Sequence, residues 1–141
     1  MNRAPECELC RNAGGEVLWE NADNRVVWAG QPDHPGFCRV IAQRHVKEMT
    51  DLDPPSRLRT MSVVLAVEEA VRVLLSPDKV NLASFGNVVP HLHWHVIPRF
   101  SDDPHFPNAV WGERLRDGPA RPLPPEFAQR MRAELRQRLA D

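Results

Sequence analysis

Three histidines alternate with apolar residues in the segment His91-Leu92-His93-Trp94-His95. Side chains alternate between the two faces of a strand, so a strand here would project the three imidazoles from one face. Adjacent histidines would have Cα atoms about 6.6 Å apart, because a strand rises roughly 3.3 Å per residue. At that spacing neighbouring imidazoles can contact opposite sides of one phosphate. The segment therefore predicts nucleophilic attack on phosphorus by an imidazole.

Histidine suits this chemistry because its ordinary pKa of about 6.5 leaves much of the side chain neutral and nucleophilic at physiological pH. Three crowded imidazoles cannot all carry charge at low cost. One would be held neutral, while another would be protonated to meet a leaving oxygen. Two other interpretations stay open, which are an inert row and a row of ligands for one metal ion.

Cys7 and Cys10 form a C-x-x-C pair close to the N-terminus. This spacing lets two thiolates bind one tetrahedral metal ion, but two further ligands are needed. Free thiols are the alternative. A thioredoxin-like redox pair is disfavoured, since that motif follows a strand within a βαβ unit and no such unit precedes Cys7. Cys38 lies in a predicted strand and is interpreted as a small core residue.

The elements that must position these groups begin with a predicted β-hairpin. Two short apolar runs at residues 16–20 and 25–29 flank the polar sequence Asn-Ala-Asp-Asn, which favours a turn. After a loop rich in proline and glycine, residues 37–42 predict a third strand. We expect a meander of three antiparallel strands.

A long helix is predicted next. The sequence Asp-Pro-Pro-Ser at residues 53–56 supplies a helix start, and apolar residues recur at helical spacing until Ser76 and Pro77, which end the helix. Two further strands are predicted at residues 80–85 and 92–98. A proline-punctuated stretch then leads to a charged amphipathic helix at residues 124–139.

The chain as a whole has the composition of one ordinary globular domain. Its 141 residues are 42% hydrophobic and 26% charged, so neither disorder nor a membrane class is favoured. The formal net charge of −1 provides no overall basic field, which argues against binding to nucleic acid. No apolar run approaches the roughly 18 residues of a membrane helix, and the N-terminus lacks a secretory signal pattern. We expect a cytoplasmic protein with no membrane partner.

The segment from His91 to Arg99 reads His-φ-His-φ-His-φ-φ-Pro-Arg, where φ is an apolar residue. It resembles the defining motif of the histidine triad (HIT) family of nucleotide hydrolases and transferases. The order of the predicted elements supports this resemblance from Cys7 to Arg99. With those elements, the resemblance implies one α+β, HIT-like domain over residues 1–141, with a five-stranded antiparallel sheet and a long amphipathic helix. An irregular stretch and the C-terminal helix follow from about residue 101. It also implies a homodimer.

The resemblance implies a role for each motif position. His93, the middle histidine, would attack the α-phosphorus and form a nucleotidyl-histidine intermediate, which water or another acceptor resolves. His95 would contact the bridging oxygen or the leaving group, and no catalytic metal is required. Asn81 and Asn87 match positions where related proteins hold the phosphate with amide side chains. For both asparagines the alternative is a turn residue.

The resemblance also suggests how the cysteine pair completes a metal site. Some family members bind a structural zinc ion with a histidine before the long helix and with the first motif histidine. The matching positions here are His45 and His91, so the implied ligands are Cys7, Cys10, His45 and His91. His91 would then be released from the chemistry. The alternative is that His45 packs on the sheet and that the cysteines are free thiols.

Two positions depart from the family pattern. Val88 stands where many members have Ser or Thr, so a hydroxyl contact to the substrate is missing. Phe37 follows the Pro-Gly pair where many members have a further histidine, with His34 just upstream. His105 and Trp111 follow the motif among prolines. They are candidates to close over the site or a dimer partner, although a surface loop is the favoured interpretation.

The sequence thus predicts a nucleotide hydrolase or nucleotidyl transferase that acts on the α-phosphate of a phosphoramidate or a dinucleoside polyphosphate. The alternative is a regulatory protein that binds a nucleotide or zinc without turnover. A third interpretation is a metal-dependent hydrolase whose three motif histidines bind zinc.

Overall fold

A five-stranded antiparallel sheet with the strand order β1-β2-β3-β5-β4 forms the centre of the protein, which confirms the predicted α+β fold. The computed structural model describes residues 3–139. The strands are β1 (Glu16–Glu20), β2 (Asn24–Trp28), β3 (Cys38–Ala42), β4 (Lys79–Ala83) and β5 (His93–Arg99). The helices are α1 (Glu8–Arg11), α2 (Pro54–Leu75) and α3 (Phe127–Arg138).

Helix α2 begins and ends where its sequence offers caps. The Asp53 side chain accepts a hydrogen bond from the Ser56 N–H (3.1 Å), and Pro54 lies in the first turn, where an N–H has no helical partner. At the other end Ser76 adopts the left-handed conformation (φ 47°), and Pro77 follows. The predicted helix is therefore confirmed.

The two faces of the sheet have different neighbours. One face carries Val40 and Val96, which are buried against α2. The other face carries His93 and His95, because alternate residues of β5 point to opposite faces. In the register of β3 and β5, Arg39 lies directly opposite His95.

Helix α3 joins the core on the α2 side of the sheet. Its Phe127, Met131 and Leu135 side chains are buried in the cluster that also contains the α2 valines. The predicted C-terminal helix is confirmed, with a start three residues later than expected. None of the helices within residues 3–139 has the length and apolar content needed to cross a membrane. The cytoplasmic location stays a prediction.

Close to the histidine motif, the structure differs from the predicted elements in two places. Strand β5 begins at His93 instead of residue 92, so His91 lies just before the strand. The short helix α1 was not predicted. It forms where the N–H groups of Cys10 and Arg11 donate to the Cys7 carbonyl (3.1 Å each), and it places both cysteines beside His91.

Candidate active site

His93 is oriented by a single backbone hydrogen bond. Its Nδ1 lies 2.6 Å from the carbonyl oxygen of His91. A carbonyl oxygen can only accept, so Nδ1 carries the proton and donates it. Nε2 then holds the lone pair of the neutral ring. Because His93 lines an open pocket with aromatic walls, this lone pair is available to a substrate.

His95 lies next to His93 with a ring-centroid separation of 5.0 Å. Burial, reinforced by the charges of His93 and Arg39, lowers the pKa of His95 to about 4. The ring is therefore neutral at pH 7 in the free protein. Within residues 3–139 its buried Nδ1 has no hydrogen-bond partner. An unpartnered lone pair is tolerated better than an unpartnered N–H, so Nε2 carries the proton.

The depressed pKa of His95 gives the stability of the fold a pH dependence. Between pH 6.5 and about 4 the unfolded state binds a proton at this position and the folded state does not, so stability falls as the pH falls through this window. We expect about 3 kcal/mol of loss from this group. Urea unfolding of the wild type and His95→Gln at pH 7 and pH 4.5 measures it. If the free energy of unfolding falls equally in the two proteins between pH 7 and pH 4.5, His95 does not cause the pH dependence.

A pocket of about 400 Å³ opens between residues 85–89 and a loop of the C-terminal segment. The Trp111 ring lies 4.8 Å from the His95 ring and 4.9 Å from the Phe85 ring, between centroids. Trp111 lies in a loop with half of its surface exposed, as the surface-loop interpretation holds, and the same side chain forms part of the pocket. The pocket is lined by Phe85, Gly86, Asn87, Val88, Val89, His93, His95 and Trp111.

Of the two predicted phosphate-binding asparagines, one lines the pocket and the other lies on strand β4. Asn87 lines the pocket. Asn81 lies on β4, and its Oδ1 accepts a hydrogen bond from Arg99 Nη1 (2.8 Å), which turns its NH2 group away from Arg99. The phosphate-binding roles of both residues stay predictions. Val88 is almost fully exposed at the pocket rim.

A buried ion pair between Arg99 and Asp103 orients the Asn81 side chain. It was not predicted from the sequence. Arg99 is 2% exposed and binds Asp103 through two hydrogen bonds, Nε to Oδ2 (2.8 Å) and Nη2 to Oδ1 (3.1 Å). Asp103 also accepts from the backbone N–H groups of His105 and Phe106. The guanidinium and these N–H groups hold the pKa of Asp103 far below its ordinary value despite burial. The i, i+4 spacing of opposite charges was the only signal for this pair.

His34 does not take the place of the family histidine that Phe37 replaces. His34 is buried and its Nε2 lies 3.0 Å from Nδ1 of His105. Phe37 instead packs edge-on to His95, with centroids 5.5 Å apart. The ligand atoms of His34, His105 and Asp103 are close enough for a metal ion. Both Asp103 oxygens already accept from the Arg99 guanidinium, so we interpret this cluster as an ion-pair network that joins two loops.

The second cluster brings together all four predicted metal ligands, Cys7, Cys10, His45 and His91. His91 is fully buried, and its Nε2–H donates to the Ala42 carbonyl (2.6 Å). Its Nδ1 lone pair therefore faces Cys7 Sγ at 3.4 Å, Cys10 Sγ at 3.6 Å and His45 Nδ1 at 3.2 Å. Cys10 Sγ lies 3.4 Å from His45 Nδ1.

These distances test whether the cluster fits zinc. Tetrahedral Zn²⁺ with ordinary bond lengths places sulfur and nitrogen ligands about 3.5 Å apart and two nitrogens about 3.3 Å apart. The four side chains match both values, so they fit a zinc ion. Among the described residues, His91 groups with the cysteines and not with His93 and His95. The interpretation of the three motif histidines as ligands of one ion is therefore wrong.

Arg25 anchors the cysteine segment to the sheet and was also missed in the sequence. It is 7% exposed and donates to the carbonyls of Leu9 (2.6 Å), Asn12 (3.1 Å) and Ala13 (2.9 Å). Burial lowers its pKa, while the charges of nearby acidic groups and of Cys10 oppose this change.

Sequence comparison finds relatives of this chain among proteins that act on nucleotides or carry the HIT domain. The chain matches the family model of the HIT domain over residues 11–102. It is 31% identical over 105 residues to the asymmetrical bis(5'-nucleosyl)-tetraphosphatase of Schizosaccharomyces pombe, covering 71% of this chain and 58% of that protein. It is 28% identical over 93 residues to an AP-4-A phosphorylase of Mycobacterium tuberculosis, covering 60% and 46%. The chain spans about half the length of these curated relatives.

Solved structures share the fold over almost the whole chain. A histidine triad protein from Marinobacter aquaeolei VT8 superposes with a TM-score of 0.72 at 26% identity and covers 96% of both chains. A zinc-bound histidine triad family protein from Mycobacterium smegmatis superposes with a TM-score of 0.67 at 22% identity and covers 94% of both chains. Since the family model matches more than half of its length, this chain belongs to the histidine triad (HIT) family.

Proposed function

We propose that this protein hydrolyses or transfers the nucleotidyl group of a nucleoside phosphate derivative through a covalent intermediate on His93. The observation that carries the proposal is the hydrogen bond from His93 Nδ1 to the His91 carbonyl. It fixes the neutral tautomer whose Nε2 lone pair can attack phosphorus, within a pocket that also contains His95. The names of the two curated relatives, a phosphorylase and a tetraphosphatase, support a nucleotide substrate.

In the first step His93 Nε2 forms a bond to the α-phosphorus, and the bond from phosphorus to the leaving oxygen or nitrogen breaks. The bound anion raises the pKa of His95, so its protonated ring forms and gives the Nε2 proton to the leaving atom. The His91 carbonyl stabilises the positive charge on the bonded His93 ring. The side-chain amides of Asn81 and Asn87 donate to the non-bridging oxygens.

In the second step water or another acceptor attacks the same phosphorus. Neutral His95 takes the proton of this nucleophile, the bond from phosphorus to His93 Nε2 breaks, and the nucleotide leaves. His93 returns to its neutral tautomer and His95 to its protonated form, which balances the proton given away in the first step. The same imidazole thus acts as acid and then as base.

We also propose that Cys7, Cys10, His45 and His91 hold a structural zinc ion. A zinc ion would cross-link the N-terminal segment to the residue that precedes β5. His91 would then serve the chemistry only by positioning: its side chain is bound in the cluster, while its carbonyl orients His93.

Trapping the intermediate tests the proposed function. The protein is mixed with an adenosine phosphoramidate labelled at the α-phosphate, quenched in alkali to preserve a phosphorus–nitrogen bond, digested and analysed by mass spectrometry. We expect the adenylyl mass on the peptide that contains His93. An adduct on a different residue during turnover, or turnover with no adduct at any quench time, would contradict the proposal.

Trp111 is expected to bind an aromatic ring of the substrate, because its ring and that of Phe85 form the apolar walls of the pocket. Stacking of a base on an aromatic side chain contributes about 1–3 kcal/mol. Trp111→Ala should therefore raise KM by roughly 10- to 100-fold, while Trp111→Phe should raise it less than about threefold. Steady-state kinetics on both variants check this. An unchanged KM in the alanine variant would exclude a stacking role.

The family resemblance and the surface both favour a homodimer. Strand β4 lies at an edge of the sheet, and α2 exposes Leu58, Leu65 and Val73. We propose that these surfaces meet their copies in a second chain. Leu65→Lys should weaken the dimer roughly 100-fold or more by burying a charge, whereas Leu115→Lys, equally exposed elsewhere, should not. Light scattering after size exclusion measures this, and identical masses for the two variants would argue against the interface.

A further inference from the structure

Arg39 is a half-buried cation that forms no ion pair with the residues the structure describes. Its one hydrogen bond to the described part of the chain runs from Nη1 to the Gly14 carbonyl at 3.5 Å, longer than an ordinary N–H···O bond. A guanidinium has five N–H donors. Most of the donors of Arg39 therefore lack a protein partner.

Within residues 3–139, the other buried or partly buried arginines each form an ion pair or at least two hydrogen bonds of ordinary length. Within the described residues, six arginines pair with carboxylates, among them Arg99 with Asp103 and Arg132 with Glu16. Arg25 donates to three carbonyls and a side-chain amide. Burial lowers the pKa of Arg39, and only the more distant charge of Glu8 opposes this change. A desolvated charge of this kind is costly unless an anion pairs with it.

The position of Arg39 specifies where such an anion would lie. Arg39 is directly opposite His95 on the face that carries the histidines, a register that places their Cβ atoms about 5 Å apart. Ile41, two residues along β3, is the residue opposite His93. The guanidinium packs over the Phe37 ring at 5.4 Å from its centroid, which limits its orientation. Arg39 is therefore closer to the leaving-group histidine than to the nucleophile.

We propose that Arg39 forms an anion subsite for the phosphate chain of the leaving group, so that the enzyme prefers nucleoside polyphosphates over phosphoramidates. This inference rests on the proposed function, since His95 defines the leaving-group side of the phosphorus. A polyphosphate leaving group brings negative charge next to His95, and a guanidinium binds phosphate oxygens in a bidentate way. An amine leaving group brings no such charge. The aromatic pocket on the other side of His95 has no lysine or arginine among its lining residues.

The test compares kcat/KM for diadenosine tetraphosphate and for adenosine 5'-phosphoramidate in the wild type, Arg39→Met and Arg39→Lys. Hydrogen bonds to charged groups contribute enough for roughly a 10- to 100-fold effect. Arg39→Met should lose that factor on the tetraphosphate and less than about threefold on the phosphoramidate. Arg39→Lys, which keeps the charge but not the planar fork, should fall between them. Equal losses on both substrates, or no loss on either, would overturn the subsite.

Two control variants test whether the loss is specific to the Arg39 charge, and thermal unfolding tests whether the Arg39 variants fold. Arg59→Met removes an exposed arginine that pairs with Asp23 and should leave the ratio between the substrates unchanged. Glu8→Gln should keep or raise activity on the tetraphosphate. A loss equal to that of Arg39→Met would mean that Glu8 is the true partner of Arg39, and would overturn the proposal. Thermal unfolding verifies that the Arg39 variants are folded.

Direct binding separates failure of the subsite from failure of the proposed function. Calorimetry with inorganic tripolyphosphate needs no turnover. We expect binding by the wild type that weakens roughly 10-fold or more in Arg39→Met. If neither nucleotide is turned over, the proposed function fails, and this measurement alone decides the subsite. Equal binding by both proteins, or no binding by the wild type, would overturn it.

Discussion

Replacing His93 by alanine is expected to abolish nucleotidyl turnover, with a loss in kcat of at least about 10⁴-fold, as for other enzymes that lose their nucleophile. The reason is that no other imidazole can replace it. His91 Nδ1 faces the cysteines, and His95 carries its proton on Nε2, so neither offers a lone pair to the phosphorus. Nucleotide affinity should change less than about tenfold, because the aromatic pocket and Arg39 remain. Turnover of a phosphoramidate or dinucleoside polyphosphate, with calorimetric binding in parallel, measures both.

His95→Gln is the matched control for this experiment. It removes the proton donor but keeps the nucleophile, so the adduct on His93 should still form with a leaving group that needs no protonation, such as p-nitrophenol. His93→Ala should form no adduct with any leaving group. Unchanged turnover by His93→Ala would refute the nucleophile assignment. Loss of turnover in His93→Ala together with loss of binding would indicate a disrupted pocket instead of missing chemistry.

Removing the proposed zinc ion is expected to have the largest effect on stability. Zinc bound with free metal at about a thousand times its Kd contributes roughly 4 kcal/mol to folding, so Cys7→Ala should lower the melting temperature by about 10 °C or more. The cross-link joins the N-terminal segment to the start of β5, and without it Arg25 and a small apolar cluster would hold that segment less firmly. Elemental analysis should find about one zinc per wild-type chain and much less in the variant.

Cys38→Ala is the control for the loss of a thiol. Cys38 is fully buried in the core, as predicted, and burial raises the pKa of its thiol to about 12, so it is no metal ligand. This variant should keep its zinc. Equal metal in the wild type and Cys7→Ala would refute the zinc site. A chelator added well below the melting temperature should leave activity intact, and immediate loss of activity from a folded protein would assign the metal to the reaction.

Local patterns were enough to predict most of the fold. The caps around α2, the turn residues after β1 and the alternation in β5 each specify a conformation through neighbours only a few positions away. The same is true of the C-x-x-C pair, whose spacing suits one metal ion. Resemblance to a family then connected that pair to His45 and His91, and the structure brings these four residues together. The spacing of the two cysteines alone did not identify the other two ligands.

No local sequence pattern predicted the contacts between distant parts of the chain. Arg39 faces His95 only because of the register of β3 and β5, and Trp111 reaches His95 only because of the path of its loop. His34 lies on His105 across 71 positions of the sequence. Each of these contacts depends on where two separate segments end after folding, which residue type and spacing do not encode.

The histidine motif shows, in one segment, what the sequence determines and what only the tertiary structure determines. The sequence by itself determined that His93 and His95 share a face, because side chains of a strand alternate with a fixed period of two. Only the tertiary structure decided what each ring does, since the tautomer of an imidazole depends on the atoms that its two nitrogens meet. The His91 carbonyl frees Nε2 of His93, burial keeps His95 neutral, and the Ala42 carbonyl directs His91 toward the cysteines.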